Sequence, residues 1–243
     1  MHPAPFNSTA PLSGALEVFL LGLVDFDAAL TLQDRLMREV AGRDDGGGAL
    51  LVCEHPPLIS VGREGSQAEI RCSSAELLAR QIPVRWLNRG GGSLVHVPGQ
   101  LVLYPILPIA RRGWGLSAYR DRLQQSLLAA FREMSIRAWQ NPGSAGVFCR
   151  TGQVAQIGVA VRSGISSHGL FVNVNPRMDA LHLVRAATGR SSSLTHERGH
   201  AVAMSTVRES LIRHLTEELN YSRYHIYTGH PLLKRTKRVV AYA

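Results

Sequence analysis

Apolar residues recur at helical spacing in three stretches of the chain, and this periodicity is its strongest structural signal. Ala29, Leu32, Leu36 and Val40 predict a helix to about Ala41, capped by Asp25 or Asp27 and closed by the run Gly-Arg-Asp-Asp-Gly-Gly-Gly. Tyr119, Leu123, Leu127, Ala130, Phe131 and Met134 form the buried stripe of a second helix, capped by Ser117. A third starts near Ser205 and carries Val207, Leu211, Leu215 and Leu219. Ser73 and Glu76 have the spacing of a capping box, so a brief helix follows them. Strands are predicted at residues 49–53, 84–87, 101–106, 136–140, 146–149, 154–161 and 170–174, with turn residues at Asn141, Pro142, Gly152 and Gly164. In residues 54–65, Pro56 and Pro57 exclude a helix, while Gly62 and Gly65 mark a loop. No regular strand, helix, strand rhythm runs through these elements. The expected fold class is therefore α+β, a mixed β-sheet with helices on one side, rather than a doubly wound sheet.

The 243 residues are 45% hydrophobic and 19% charged, which supplies a sizeable core and excludes a disordered or fibrous chain. Residues 1–15 read as a disordered lead without the basic start and apolar run of a secretory leader. Residues 16–222 read as one domain and residues 223–243 as a solvated basic tail. The longest apolar run, residues 101–110, is too short for a bilayer and is interrupted by Pro105 and Pro108, so no membrane association is expected. Lys and Arg total 27 against 18 Asp and Glu, and the net charge of +9 points to anionic partners. Cys53, Cys72 and Cys149 are an odd, sparse set that fits free thiols in a reducing compartment, the cytoplasm by default.

The chemistry concentrates in residues 88–106, Asn-Arg-Gly-Gly-Gly-Ser-Leu-Val-His-Val-Pro-Gly-Gln-Leu-Val-Leu-Tyr-Pro-Ile, a strand, loop, strand unit. Glycines let a bound chain approach the backbone, and successive N–H groups can cradle an anion or a carbonyl oxygen. A flexible hairpin explains the glycines alone, but not Arg89 and His96. Nucleotide binding is disfavoured, because the glycines lack the G-x-G-x-x-G spacing before a helix and the P-loop lysine is missing. The basic charge has no accompanying nucleic-acid recognition motif.

From Leu16 to Leu219 the chain resembles the octanoyltransferases of lipoate biosynthesis, also called lipoyl(octanoyl) transferases or lipoate-protein ligase B. The resemblance rests on EHPPLISVGREG (Glu54 to Gly65), RGGGSLVHVPGQLVLYPI (Arg89 to Ile106), QVAQIGVAV, HGLFVNVNP and SSLTHERG. It implies the catalytic-domain fold of biotin and lipoate ligases, a mixed sheet flanked by helices. It also implies transfer of octanoyl from octanoyl-acyl carrier protein to a lysine of a lipoyl domain, through a cysteine thioester and without a cofactor or metal. A cysteine suits that step because a nearby cation makes its thiolate accessible. Both implied partners are acidic, which the net charge would steer. The substrate site so implied comprises Arg89, Gly90, Gly91, Gly92, Ser93, Leu94, Val95 and His96 of the loop, with Gln156, Ile157 and Gly158 on one strand and Gly169, Leu170 and Phe171 on another.

Both members of the family's catalytic pair are replaced. Its lysine position holds Gln153, and its cysteine position holds Ala187 by ungapped counting from Asn175, or Thr188 by matching the glycine. Cys149 is a possible substitute: a three-residue loop of Arg150, Thr151 and Gly152 would make Cys149 and Gln153 neighbours on one sheet face, although a free cysteine is commonly a small buried hydrophobe. Two functions therefore stay open, an octanoyltransferase that uses Cys149 or direct transfer, and a non-catalytic acyl- or lipoyl-binding module. An adenylating ligase is weaker, since those relatives also use a lysine where Gln153 stands. His196 and His200 match the H-E-x-x-H zinc pattern, but no amphipathic helix surrounds them. His55 and His168 coincide with family positions and read as satisfied loop or core histidines.

Overall fold

The computed structural model of the protein describes residues 13–185 and 189–233. The chain enters on β1 (Leu16–Leu23) and continues into α1 (Phe26–Ala41) and β2 (Gly48–Glu54), a parallel pair with a helical crossover. Asp25 caps α1 by accepting the Ala28 N–H at 2.9 Å. After β3 (Leu58–Val61) comes α2 (Ser74–Ala79), whose capping box forms between Ser73 and Glu76 as the sequence predicts. Next come β4 (Val84–Trp86), β5 (Ser93–His96) and β6 (Gln100–Ile106). Then follow α3 (Leu116–Glu133), β7 (Gly146–Cys149), β8 (Gly152–Arg162), β9 (Ile165–Asn173) and α4 (Met178–Leu181). The last elements among the described residues are α5 (Leu194–Arg198), α6 (Met204–Glu218) and β10 (Tyr224–Thr228).

Seven strands make the main sheet, in the order β10-β1-β2-β6-β9-β8-β7. The β10–β1 and β1–β2 pairs are parallel and the remaining pairs antiparallel. A second sheet of three strands, β4-β3-β5, holds the glycine-rich loop between its β4 and β5 strands. The expected single strand, loop, strand unit is thus divided between two sheets. Residues 93–96 pair with β3, and Gln100 begins the main-sheet strand.

Strand alternation gives the main sheet two apolar faces. Leu16, Val18, Leu50, Val52, Leu101 and Leu103 pack with α3 and α6, while Ala49, Leu51, Val102 and Tyr104 pack with α1. Helices therefore cover both faces, which corrects the one-sided arrangement read from element order. Other local expectations also change. Ser117 lies inside α3, whose N-cap is Gly115. Residues 136–140 form only the Trp139–Phe148 bridge rather than a strand. Residues 224–228, read as tail, pair with β1 and extend the domain beyond residue 222. Their burial is slight, so no buried apolar pattern announces that edge strand. Residues 1–12 of the expected lead and 234–243 of the expected tail lie outside the described residues.

Candidate functional site

The glycine loop is pinned from below by a buried arginine. Arg89 donates through one terminal nitrogen to the Ser60 carbonyl at 3.0 Å and Ser60 Oγ at 2.8 Å, and through the other to the Gly90 carbonyl at 3.0 Å. It is 3% exposed, lies 5.7 Å over the Phe171 ring, and its pKa is held down to about 10 by burial. Ser60 Oγ, already accepting from Arg89, is 2.8 Å from His96 Nε2 and donates its own proton there. His96 is fully buried and kept well below its ordinary pKa by desolvation, so it is a neutral acceptor inside the floor of the site.

His55 completes this floor. Its Nδ1–H donates to the Val24 carbonyl at 2.9 Å, and its Nε2 accepts from the Tyr104 hydroxyl at 3.0 Å. Burial lowers the pKa of His55 and of His168 to about 4. The His168 backbone N–H donates to Gln33 Oε1 at 2.8 Å. His55 is thus a core residue with both ring nitrogens bonded, whereas His168 is half-buried and its Nδ1 has no partner among the described residues, so the satisfied reading fits His55 alone.

The loop rests on β8 at a point where neither chain has a side chain. The Gly90 N–H donates to the Val159 carbonyl at 2.9 Å, and a Cβ on Gly158 would stand 3.0 Å from the Gly90 oxygen and 3.1 Å from an Arg89 nitrogen. Gly91 adopts φ +80, a left-handed conformation that favours glycine. Two of the loop's other donors are already used. The Gly91 N–H goes to Glu64 Oε1 at 3.2 Å, and the Ser93 N–H to Glu69 Oε2 at 2.9 Å. Sequence reading left those N–H groups open to a ligand; the protein's own carboxylates occupy them.

Ser93, Leu94 and Val95 line a narrow cavity of about 20 Å³ together with Gln100, Gln156, Asn173, Leu181, Val184 and Ser191. Gln100 donates to the Val95 carbonyl at 3.1 Å and to Asn173 Oδ1 at 2.9 Å, which leaves its own buried Oε1 without a partner. Asn173 passes the chain on to the Ser192 carbonyl at 3.0 Å. Sequence reading missed Gln100, Asn173, Leu181, Val184 and Ser191. Period-two alternation from Phe171 points to Asn173, while the last three come from a segment with no regular pattern.

Alternation also divides the expected strand residues. Gln156 pairs with Phe171 and Gly158 with Gly169, and these share the loop-facing side. Ile157 pairs with Leu170, and both join the cluster under α3 and α6, so they are core residues rather than substrate contacts. Gly169 is required by packing, since a Cβ there would lie 2.2 Å from the Leu103 carbonyl oxygen.

Gln153 is 6% exposed and lies across Gly146, where a Cβ would come within 2.0 Å of its Nε2. Its backbone is held by the Arg190 carbonyl at 2.8 Å and the Ser192 N–H at 2.8 Å. The β7–β8 turn contains two residues, Arg150 and Thr151, rather than three, and a register shift follows. Cys149 therefore pairs with Gly152, while Gln153 pairs with Phe148 and faces the other way. Cys149 joins the α3 and α6 core at 2% exposure, and burial, with a smaller effect of Glu197, raises its thiol to about 12. This corrects the expected same-face pair. Ala187 and Thr188 lie outside the described residues. His196 is on α5, but the helix ends at Gly199 with φ 70, so His200 does not continue its face.

A two-sheet fold with a glycine loop pinned over a narrow cavity defines a catalytic domain of the lipoate ligase and transferase class. Residues 25–219 match the family model described as the lipoyl protein ligase A/B catalytic domain. The chain belongs to the octanoyltransferase family within that class. It is 39% identical over 160 residues to an octanoyltransferase of Geotalea uraniireducens, covering 65% of this chain and 71% of the relative. It is 35% identical over 208 residues to one of Roseiflexus sp., covering 82% and 85%. Its fold matches the bipartite lipoate protein ligase structure from Thermoplasma acidophilum with a TM-score of 0.71, at 15% identity over 90% of this chain and 89% of the other. Among the described residues, no helix is long and apolar enough to cross a membrane.

Proposed function

We propose that this protein takes the octanoyl group of octanoyl-acyl carrier protein and places it for transfer to a lysine of a lipoyl domain. The observation that carries the reading is the Arg89–Gly158–Phe171 assembly, which holds the family's glycine loop over the cavity although the catalytic pair is replaced. With Gln153 and a core-facing Cys149, the chemistry this geometry favours is direct transfer. The acceptor amine attacks the thioester carbonyl, a C–N bond forms, the C–S bond breaks, and the amine's proton leaves with the carrier thiol. The protein's part is alignment of the two reactants. Acyl entry requires Leu181 and Val184 to separate from Leu94 and Val95, because about 20 Å³ holds little more than one water.

The experiment is incubation with octanoyl-acyl carrier protein and an apo lipoyl domain, followed by intact-mass measurement of the domain. An octanoyl mass gain above the uncatalysed background is expected, and none refutes transfer. The second reading, a non-catalytic acyl- or lipoyl-binding module, is favoured by one observation: a neutral amide fills the buried position of the family's cation. Calorimetric binding of octanoyl-acyl carrier protein or lipoylated domain without mass gain selects it.

A further inference from the structure

We infer that Glu69 and Glu64 are charge filters of the acyl pocket, admitting an uncharged acyl group such as a thioester and rejecting a carboxylate or acyl phosphate. The inference rests on the acyl-site reading above and names what that site discriminates.

The N–H groups of a glycine loop are an anion cradle when they are free. Here Ser93, a wall residue of the cavity, gives its N–H to Glu69 Oε2 at 2.9 Å, and Gly91 gives its N–H to Glu64 Oε1 at 3.2 Å. The Glu69 carboxylate also lies over Gly92, where a Cβ would be 3.3 Å from its Oε2. Gly90 N–H is spent on Val159, so of the four loop donors only Gly92 N–H, beside the Glu69 carboxylate, has no protein partner among the described residues. An anionic ligand would have to displace a carboxylate and then meet its charge at close range.

Arg89 does not reverse this balance, because its terminal nitrogens are turned to Ser60 and Gly90. Glu69 is itself locked in place by its backbone. Its carbonyl accepts the Arg185 N–H at 2.7 Å, and its N–H donates to the Ser66 carbonyl at 3.1 Å. The filter is thus built into the segment that closes the cavity beside Val184, which bridges to Ile70.

The test compares S-octanoyl-pantetheine, a neutral thioester, with octanoate by calorimetry at pH 7.5. Wild-type protein is expected to bind the thioester at least about tenfold more tightly than octanoate. In Glu69→Gln the amide oxygen still accepts the Ser93 N–H without a charge, so octanoate affinity rises and the ratio falls toward one. Glu64→Gln shifts the ratio the same way by less, because its bond is longer and more exposed. A purely structural role for Glu69 would change both affinities together and leave the ratio unchanged, which overturns the inference. Equal binding of both ligands by wild-type protein also overturns it while leaving the acyl site intact. Binding of neither ligand by any variant removes the acyl-site reading, and this inference with it.

Discussion

Acidification from pH 6.5 to 4 is expected to destabilise the protein through its buried histidines, with His55 setting the scale. In the fold the His55 pKa is lowered from 6.5 to about 4, chiefly by burial, against the Val24 hydrogen bond and Asp25. At about 1.4 kcal/mol per tenfold, the difference is about 3 kcal/mol in favour of the folded, neutral ring. The sign follows from proton binding. Between the two values the unfolded chain carries a proton that the folded one does not, so the contribution is complete above pH 6.5 and is lost as pH falls toward 4. His168 is lowered to the same value and His96 in the same direction. The rings of His55 and His96 are 5.7 Å apart, so the contributions overlap and do not simply add. Urea denaturation followed by tryptophan fluorescence, at half-unit intervals across this range, measures the slope. His55→Asn retains a donor toward the Val24 carbonyl and loses the Tyr104 bond. The variant should be about 1 kcal/mol less stable at pH 7.5, yet bind about one proton fewer on unfolding in the acid range. Wild-type stability that is flat from pH 6.5 to 4, or an unchanged slope in His55→Asn, would refute the reasoning.

Three further outcomes test the site. Gly158→Val drives side-chain atoms into the Gly90 carbonyl and Arg89, so it should weaken S-octanoyl-pantetheine binding by about tenfold or more, read by calorimetry, while circular dichroism stays unchanged. Cys149→Ala removes a core thiol and should cost about 1 kcal/mol in urea denaturation while leaving octanoyl binding and any transfer intact; abolished transfer in a folded variant would return Cys149 to the chemistry. Gln153→Lys combined with Ala187→Cys, or with Thr188→Cys, restores the family's pair, and one of the two double variants should accumulate an octanoyl thioester detectable by intact mass and cleaved by hydroxylamine. Failure of both, with the acyl ligand still bound, would mean that the position of Gln153 no longer serves the family's chemistry.

The sequence made the periodic elements legible because their apolar faces are continuous. Leu32, Leu36 and Val40 of α1 and Leu123, Leu127 and Phe131 of α3 are buried where spacing puts them. Strand faces were less legible, since residues buried on both sides show no polar alternation to set the phase. Ile157 and Leu170 look like pocket residues beside Gly158 and Phe171, and only the Gln156–Phe171 and Ile157–Leu170 pairs reveal that they point apart. The Cys149 expectation failed for a related reason. One residue of difference in turn length, followed by a register shift, sends the thiol to the helices and Gln153 to the other face. The carboxylates in the glycine loop were invisible because Glu64 and Glu69 lie more than twenty residues before the N–H groups they accept.

The position of Gln153 and the glycine loop are physically separable. Gln153 is the second residue of β8, beside β7, and is held by residues 190 and 192, whereas the loop contacts β8 further along, at Gly158 and Val159. Arg89, the residue that fixes the loop, bonds to Ser60 on the small sheet and lies over Phe171 on β9, with no bond to Gln153. The charge of the side chain at residue 153 can therefore change without disturbing the contacts that hold the loop. Arg89 is 3% exposed and has no carboxylate partner among the described residues; removing such a charge from water costs several kcal/mol, which its three hydrogen bonds to Ser60 and Gly90 offset in part. The loop's geometry thus rests on the contacts of Arg89 with Ser60, Gly90 and Phe171 and on the bare backbone of Gly158, so a variant at residue 153 tests the chemistry while leaving the loop in place.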